Sequence, residues 1–287
     1  MTQSDQAAPR AGPTTNMKFV IDDAAYVGSI PDKYHHGIGP FLCEPYAQHI
    51  ALRMKELAPS RVLETACGTG ILTRRLREAM PSDALLVASD LNPPMLAVAR
   101  RTLGRAAIEL VQADMRKLHF ADNAFDAAVC HFGLMCVADK PAAVREARRV
   151  LQPGGSLVLT TWAALDRNPI IGIVHRTITG LFPDNPPQYL KRVVFGLGEP
   201  RGLTDLLVGG GFRNVEVNLV EKTAVSRGAH ELAEGLVEGC PLVEEIRLRD
   251  PARVPAVVEA VTRAIVRQFG DKPVKTRVAA LIACGVT

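Results

Sequence analysis

Residues 62–70 read VLETACGTG, and this stretch decides the fold of the chain. Its first part is apolar and predicts a buried β-strand that runs into the acidic Glu64. A turn of small residues follows, and a helical pattern begins near Ile71. A strand, a glycine-containing turn and a helix in this order predict a ligand site at the turn.

Gly68 and Gly70 permit that turn because glycine tolerates positive φ values and has no Cβ atom to keep a ligand away. In the next helix, apolar residues recur at four-residue spacing from Leu72, and its N-terminal amide groups face the turn. Open α/β folds bind their ligands in such a crevice, at the carboxyl edge of a parallel sheet.

Composition indicates a globular protein with ample material for a core. The chain has 287 residues, of which 47% are hydrophobic. Its formal net charge is +4, from 34 basic and 30 acidic residues without a dominant basic block, which is too weak a bias to predict a nucleic-acid partner. No apolar run reaches the ~18 residues that span a bilayer, so we expect no membrane insertion.

Six cysteines occur without CxxC spacing in a chain too long to need disulfide bonds. We therefore expect reduced thiols, no bound metal and a cytoplasmic protein. Residues 1–16 lack the apolar core of a secretory signal and are predicted to form a disordered tail. Residues 17–287 are expected to form a single domain.

Short apolar segments alternate with helical patterns along the chain. Strands are predicted at 62–64, 84–89, 108–112, 125–130, 156–161, 215–225 and 278–284. Helices are predicted between them at 93–103 and 141–151. This alternation is typical of an α/β fold with a mostly parallel sheet of about seven strands and helices on both faces.

Two helical segments, at about 168–195 and 229–270, are expected as insertions that cap the pocket. Residues 34–41, which precede the first helix on the sheet, read YHHGIGPF and are flexible at their glycines. That segment suits an N-terminal lid at about 26–45, and it suits an ordinary connecting loop equally well.

Acidic residues follow three successive strands, at Glu64, Asp90 and Asp114. Asp90 lies 20 residues beyond Gly70, the spacing at which a carboxylate binds the hydroxyls of a ribose. We therefore expect a nucleoside-containing ligand. A dinucleotide-binding turn would have a third glycine where this chain has Thr73, so the nicotinamide fingerprint is incomplete.

Five stretches together resemble the motifs of class I S-adenosylmethionine-dependent methyltransferases of the type 11 group. They read VLETACGTG at 62–70, SDLNPPML at 89–96, QADM at 112–115, FDAAVCHFGLM at 125–135 and REARRVLQPGG at 145–155. The order and spacing match over about residues 34–165, and outside that span only the layout is similar. The resemblance implies a Rossmann-like fold and S-adenosyl-L-methionine as the cofactor.

The resemblance also implies a set of cofactor-binding residues. Those expected near the methionine part are Glu64, which faces its ammonium directly or through water, Ala66, Cys67, Gly68 and Gly70. Asp90 would bind the ribose, Leu91 and Met115 would contact the adenine, and Asp114 would accept from its amino group. The set is completed by Tyr34, Met95, His131 and Phe132. The family usually has Gly at the position of Ala66, so we expect tighter packing there.

His131 and Phe132 would border the transferred methyl group and the substrate. His131 is the first candidate for a general base, ahead of His35 and His36, because imidazole titrates near neutral pH. The alternative is that His131 is a hydrogen-bonded wall residue.

The sequence thus predicts methyl transfer to a small organic acceptor. The apolar residues at 170–174 and 181–182 hint at an aromatic or lipid-like one. The oligomeric state stays open, with an oligomer possible. Two alternatives also remain, a nicotinamide-dependent oxidoreductase and a non-catalytic protein that binds S-adenosylmethionine.

Overall fold

The computed structural model describes residues 22–287, and the predicted tail at residues 1–16 lies outside that part. Its strands are β1 (Arg61–Thr65), β2 (Leu85–Asp90), β3 (Glu109–Gln112), β4 (Phe125–His131), β5 (Leu151–Trp162), β6 (Arg213–Ser226) and β7 (Val274–Val286). They form one seven-stranded sheet in the order β3-β2-β1-β4-β5-β7-β6. β1 to β5 pair in parallel, and β7 lies antiparallel between β5 and β6. The predicted α/β fold with a mostly parallel sheet is confirmed.

Helices connect and cover these strands. The α-helices are α1 (Ile30–Lys33), α2 (Glu44–Leu57), α3 (Ile71–Ala79), α4 (Pro93–Leu103), α5 (Lys140–Val150), α6 (Pro169–Leu181), α7 (Pro200–Gly209), α8 (Ala229–Glu238), α9 (Leu242–Arg247) and α10 (Val254–Phe269). Two π-helices span Tyr34–Cys43 and Leu190–Val194, and short 3₁₀ turns span Leu134–Cys136, Leu165–Arg167 and Pro251–Arg253. We call residues 168–195 and 229–270 the cap.

Alternate residues of each strand build two large cores, because successive side chains of a strand point to opposite faces. Val62 and Val158 pack in one core, together with α2, α3, α6 and the helices of the second cap segment. Leu63 and Leu157 pack in the other, against α5 and α7. The sheet is therefore covered on both faces, as a buried parallel sheet requires.

The expectation of a loop at residues 34–41 is wrong, whereas the lid at about 26–45 stays a prediction. This part is helical and runs from α1 through the π-helix into α2. Its glycines serve close packing instead of flexibility, since a Cβ atom on Gly37 would lie 2.5 Å from the Cα atom of Gly235 in α8. The apolar Ile38, Phe41 and Leu42 are buried, which fixes the helix on the core.

Two smaller differences concern the ends of elements. β5 starts at Leu151 and not after the Pro153-Gly154-Gly155 turn, and its pairing with β4 shifts register there. The predicted helical stretch at 229–270 is divided into three helices. Within residues 22–287, no helix combines the length and apolarity needed to cross a membrane.

Candidate functional site

A cavity of about 680 Å³ opens where β1, β2 and β4 end. Ligand pockets of small-molecule enzymes typically have volumes of about 300–1,000 Å³. β1 and β4 are neighbours at the point where the strand order reverses, and ligands of open α/β sheets bind at that point. The cavity therefore lies where the turn at 66–70 predicts it.

Most of the predicted cofactor residues meet in the wall of this cavity. Those that line it are Tyr34, Ala66, Gly68, Asp90, Leu91, Met95, Asp114, Met115, His131 and Phe132. Glu64, Cys67 and Gly70 are not part of the wall. Cys67 packs in a small core with Leu96, and Gly70 adopts φ +83° at the start of α3. Cys67 and Gly70 therefore shape the turn without lining the cavity.

Asp90 joins the turn to the end of β2. Its Oδ2 atom accepts the Gly68 N–H at 2.9 Å, and its Oδ1 atom accepts the Asn92 N–H at 2.8 Å. Burial raises the pKa of the Asp90 carboxyl, although these hydrogen bonds oppose the shift. A carboxylate offers about four acceptor positions, so capacity for a ligand hydroxyl remains.

Glu64 lies at the end of β1 and is fully buried. Neither of its carboxyl oxygens has a hydrogen-bond partner among residues 22–287. Burial raises the pKa of Glu64 to about 8, although the nearby Thr73 hydroxyl opposes the shift, so the group is mostly protonated at neutral pH. A buried acid without a partner is a candidate for pairing with a cationic ligand group.

Asp114 is engaged within its own turn, which the sequence reasoning missed. Its Oδ1 atom accepts the Arg116 backbone N–H at 2.8 Å, and its Oδ2 atom accepts from Arg116 Nη2 at 2.7 Å. Hydrogen bonding to Arg116 lowers the pKa of the Asp114 carboxyl. The carboxylate lines the cavity, but it shares its acceptor capacity with this guanidinium.

His131 is held as a neutral imidazole at the end of β4. Its Nε2 atom donates to the Cys43 carbonyl at 3.1 Å, because a carbonyl only accepts and this nitrogen must carry the proton. Burial lowers the pKa of His131 to about 4. The Nδ1 atom then carries a lone pair with no partner in the described part of the chain.

A flat aromatic wall lies beside His131. The rings of Phe132 and Trp162 stack with centroids 4.0 Å apart and an angle of 11° between their planes. Tyr46 meets both rings edge-on, and its hydroxyl donates to the Val278 carbonyl at 2.8 Å. These contacts make the wall rigid and apolar.

The cap closes the opposite side of the cavity, and few of its contributing residues were predicted. The cap residues that line the cavity are Ile171, Leu190, Arg192, Val193, Val194, Phe195, Leu236 and Cys240. Of the apolar residues at 170–174 and 181–182, only Ile171 is among the lining residues, since the others pack elsewhere. The second-choice bases His35 and His36 do not line the cavity.

Ala66 fits its position because residue 133 is glycine. Ala66 and Phe132 adopt φ values of +53° and +55°, in the left-handed region that non-glycine residues rarely enter. A Cβ atom on Gly133 would lie 2.3 Å from the Cβ atom of Ala66 and 3.0 Å from Cys130 Sγ. One methyl group is thus accommodated between the ends of β1 and β4.

This complementarity predicts a non-additive pair of substitutions. Gly133→Ala should destabilise the protein by about 1–3 kcal/mol through overpacking. Ala66→Gly in the same chain should recover most of that loss, because it removes the methyl group that clashes. Urea unfolding of both single variants and the double variant measures the coupling.

Gly202→Ala provides the matched control, because nothing lies within 4 Å of a Cβ atom at that helical glycine. It should leave stability unchanged or raise it slightly. Strictly additive effects of Gly133→Ala and Ala66→Gly would contradict the steric argument.

Comparison with known proteins agrees with this geometry. A family described as "Methyltransferase domain" matches residues 63–159. A demethylmenaquinone methyltransferase from Thermus thermophilus is 36% identical over 169 residues, which are 55% of this chain and 76% of that protein. A ubiquinone/menaquinone biosynthesis C-methyltransferase UbiE from Ectopseudomonas mendocina is 39% identical over 127 residues, 43% of this chain and 49% of that protein. The match thus spans about half the length of the second relative.

Solved structures show the same fold. A putative methyltransferase from Bacillus halodurans superposes with a TM-score of 0.54 and 19% identity, over 82% of this chain and 97% of that one. A Haemonchus contortus phosphoethanolamine N-methyltransferase in complex with S-adenosylhomocysteine gives a TM-score of 0.51 and 17% identity, over 83% and 52% of the two chains. The cavity at the strand ends, the motifs around it and these relatives agree: this chain belongs to the class I S-adenosylmethionine-dependent methyltransferases.

Proposed function

We propose that this protein transfers the methyl group of S-adenosylmethionine to a ring carbon of a flat, lipid-like quinol. The observation that carries the proposal is the stacked Phe132–Trp162 wall beside a neutral His131 with a free Nδ1 lone pair. The relatives named for quinone biosynthesis support the acceptor class. An apolar ring binds well against such a wall, and a ring hydroxyl finds an acceptor in His131.

We call the side of the cavity lined by Gly68 and Asp90 the donor half, and the side lined by His131, Phe132 and Trp162 the acceptor half. The donor half suits the cofactor. When bound, S-adenosylmethionine supplies a methyl group already activated on a sulfonium. Gly68 brings the backbone close to the ligand, because its φ of +57° and open surroundings leave room where a side chain would stand. Asp90 would accept hydrogen bonds from the ribose hydroxyls. Glu64, at the end of β1, would balance the positive charge of the ammonium group. The chain's main contribution is orientation, which can supply on the order of 7–11 kcal/mol.

His131 would hold and polarise the acceptor hydroxyl. A ring carbon becomes nucleophilic when electron density from the neighbouring oxygen is released into the ring. As the carbon attacks the methyl group, the carbon–sulfur bond breaks with its electron pair left on sulfur, and the hydroxyl proton moves to His131 Nδ1. The ring then releases its C–H proton to solvent while the ring oxygen takes its proton back from His131, which leaves the methylated quinol, S-adenosylhomocysteine and one proton. With a pKa of about 4, His131 is a weak proton acceptor in the free protein, so its role begins as hydrogen-bond acceptor at Nδ1.

Methyl transfer to a quinol is the first measurement. Purified protein should convert labelled S-adenosylmethionine and a reduced demethylated naphthoquinol to a product methylated on carbon. Nuclear magnetic resonance distinguishes a ring C–CH₃ group from a methoxy group. A methoxy product, or cofactor binding without turnover of any quinol, would overturn the proposal.

His131→Ala should lower kcat by about 10²-fold, because general acid–base groups contribute 10²–10⁴-fold, while cofactor affinity stays within a factor of about two. His131→Asn is the matched variant, since its amide oxygen can replace the Nδ1 acceptor and should retain more activity. Equal kcat for His131→Ala and the unmodified protein would make His131 a wall residue.

Asp90→Ala should weaken binding of S-adenosylhomocysteine by about 1–3 kcal/mol, because buried polar groups lose their partner. Isothermal calorimetry measures the dissociation constant. Asp126→Ala is the control, since that carboxylate also accepts backbone N–H groups, from Ser60 and Arg61, but lies at the start of β4, at the opposite edge of the sheet. An unchanged dissociation constant for Asp90→Ala would refute the ribose assignment.

Cofactor binding should also release a proton from Glu64. The carboxyl, with a pKa of about 8, is protonated at pH 7 in the free protein, and a nearby ammonium favours its ionised form. Calorimetry at pH 7 in buffers of different ionisation enthalpy should show release of up to about one proton per site. Glu64→Gln should abolish that release; equal release by both proteins would contradict the role of Glu64.

A further inference from the structure

A short segment, residues 22–26, lies across the cavity and belongs to neither the sheet nor the cap. We call it the strap. Asp22, Asp23, Ala24 and Tyr26 all line the cavity, although the strap has no helical or strand structure of its own. Its position is set by side-chain contacts at two ends.

The first end of the strap is fixed by Asn92. The Asn92 Oδ1 atom accepts the Tyr26 N–H at 3.2 Å, and its Nδ2 atom donates to the Ala24 carbonyl at 2.9 Å. The same residue donates to Asp90 Oδ1, from its backbone N–H at 2.8 Å and from Nδ2 at 3.3 Å. Asn92 therefore connects the candidate ribose carboxylate directly to the strap backbone.

The second end of the strap is fixed to the cap. The Asp23 carboxylate pairs with the Arg192 guanidinium, with Nη2 and Oδ1 2.7 Å apart. Arg192 also pairs with Glu245 of α9 at 3.2 Å. The Tyr189 hydroxyl donates to the Asp23 carbonyl at 3.4 Å, and lies 3.3 Å from the Tyr26 hydroxyl. The strap thus bridges the donor half and the acceptor half of one cavity.

We propose that Asn92 is a positioning residue that couples cofactor binding at Asp90 to closure of the strap over the acceptor half. This inference rests on the proposed role of Asp90. Both bonds from Asn92 to the strap require one orientation of its amide group. With the amide reversed, the Asn92 oxygen would face both the Asp90 carboxylate and the Ala24 carbonyl. An ionised Asp90 therefore selects the orientation that pairs with Ala24 and Tyr26.

Cofactor hydroxyls that donate to Asp90 hold its carboxylate in the position that accepts from Asn92, and so favour the closed strap. The Asp23–Arg192 pair of the strap contributes little, since Arg192 is half exposed, and the hydroxyl contacts of Tyr189 with the strap are long, at 3.3 and 3.4 Å. The strap can open for the acceptor to enter and for products to leave. Closure with cofactor in place excludes water before transfer, and it orders the reaction with cofactor first.

Hydrogen exchange at the Tyr26 amide tests the coupling, because this N–H donates to Asn92. Adding S-adenosylhomocysteine to the unmodified protein should slow its exchange by about fivefold or more, the lower range of measured site couplings. In Asn92→Ala the same ligand should slow it less than about twofold, with the ligand still bound. No slowing in the unmodified protein, or full slowing in Asn92→Ala, would overturn the proposal.

Two further variants separate coupling from simple loosening. Asp23→Asn weakens only the contact between the strap and the cap. Exchange at the Tyr26 amide should therefore be faster both with and without S-adenosylhomocysteine, and the ratio of these two rates should persist. Asp32→Ala removes an exposed pair with Arg101, 2.6 Å apart and outside the cavity wall, and should change neither rate. Loss of the ratio in Asp23→Asn would assign the effect to general loosening of the strap and overturn the role of Asn92.

A failure of the proposed function can be distinguished from a failure of the coupling through Asn92. If Asp90→Ala leaves the affinity for S-adenosylhomocysteine unchanged, the ribose assignment is wrong, and the coupling through Asp90 falls with it. If that affinity drops while Asn92→Ala keeps the full ligand-dependent protection of Tyr26, the cofactor site stands and only the coupling is wrong.

Discussion

The hydrogen bond from the Gly68 N–H to the buried Asp90 carboxylate, 2.9 Å long, is the constraint on which the rest of the site depends. It ties the turn after β1 to the end of β2 while Ala66, Gly68 and Gly70 all hold positive φ values. The same turn starts α3, and a Cβ atom on Gly70 would lie 3.1 Å from the Leu103 side chain of α4. The turn held by this buried carboxyl therefore borders the cavity on one side and packs α3 closely against α4 on the other.

That arrangement leaves polar groups unpaired in the free protein. Glu64 and the Nδ1 atom of His131 are both buried without partners in the described residues. Burial moves each towards its neutral form, raising the pKa of the acid and lowering that of the imidazole. Unpaired buried polar groups cost free energy of folding, and they persist where a ligand can satisfy them. Glu64 lies outside the cavity wall at the end of β1, and His131 lies in the wall at the end of β4. This arrangement is consistent with a site for a charged donor and a hydroxyl-bearing acceptor.

The sequence predicted what local patterns can encode. Strands and helices followed from periodicity, and the residues at strand ends met in one cavity because the carboxyl ends of parallel strands share one edge. Contacts between distant parts of the chain could not be read this way. The glycines at 37 and 39 indicated flexibility, but Gly37 packs on Gly235 almost 200 residues later. The pair Asp23–Arg192 and the fit of Ala66 against Gly133 are equally non-local. Only the engagement of Asp114 by Arg116, two residues on, lay within reach of a local pattern.

The two halves of the cavity differ in how they are built, and this bears on the choice of acceptor. The donor half rests on strand ends and on a turn locked by Asp90, within the part matched by the methyltransferase family, residues 63–159. The acceptor half is closed by the strap and by the cap, which lie outside that match. Phe132 belongs to both halves: its left-handed backbone is costly for a bulky residue, yet stacking on Trp162 holds it. The flat wall is therefore fixed by the sheet, whereas the shape opposite it is set by Ile171, the π-helix at 190–194 and the strap. Substitutions at Ile171 and in the π-helix can reshape the acceptor half without touching the residues around the donor, whereas substitutions in the strap affect both halves, because Asn92 connects the strap to Asp90.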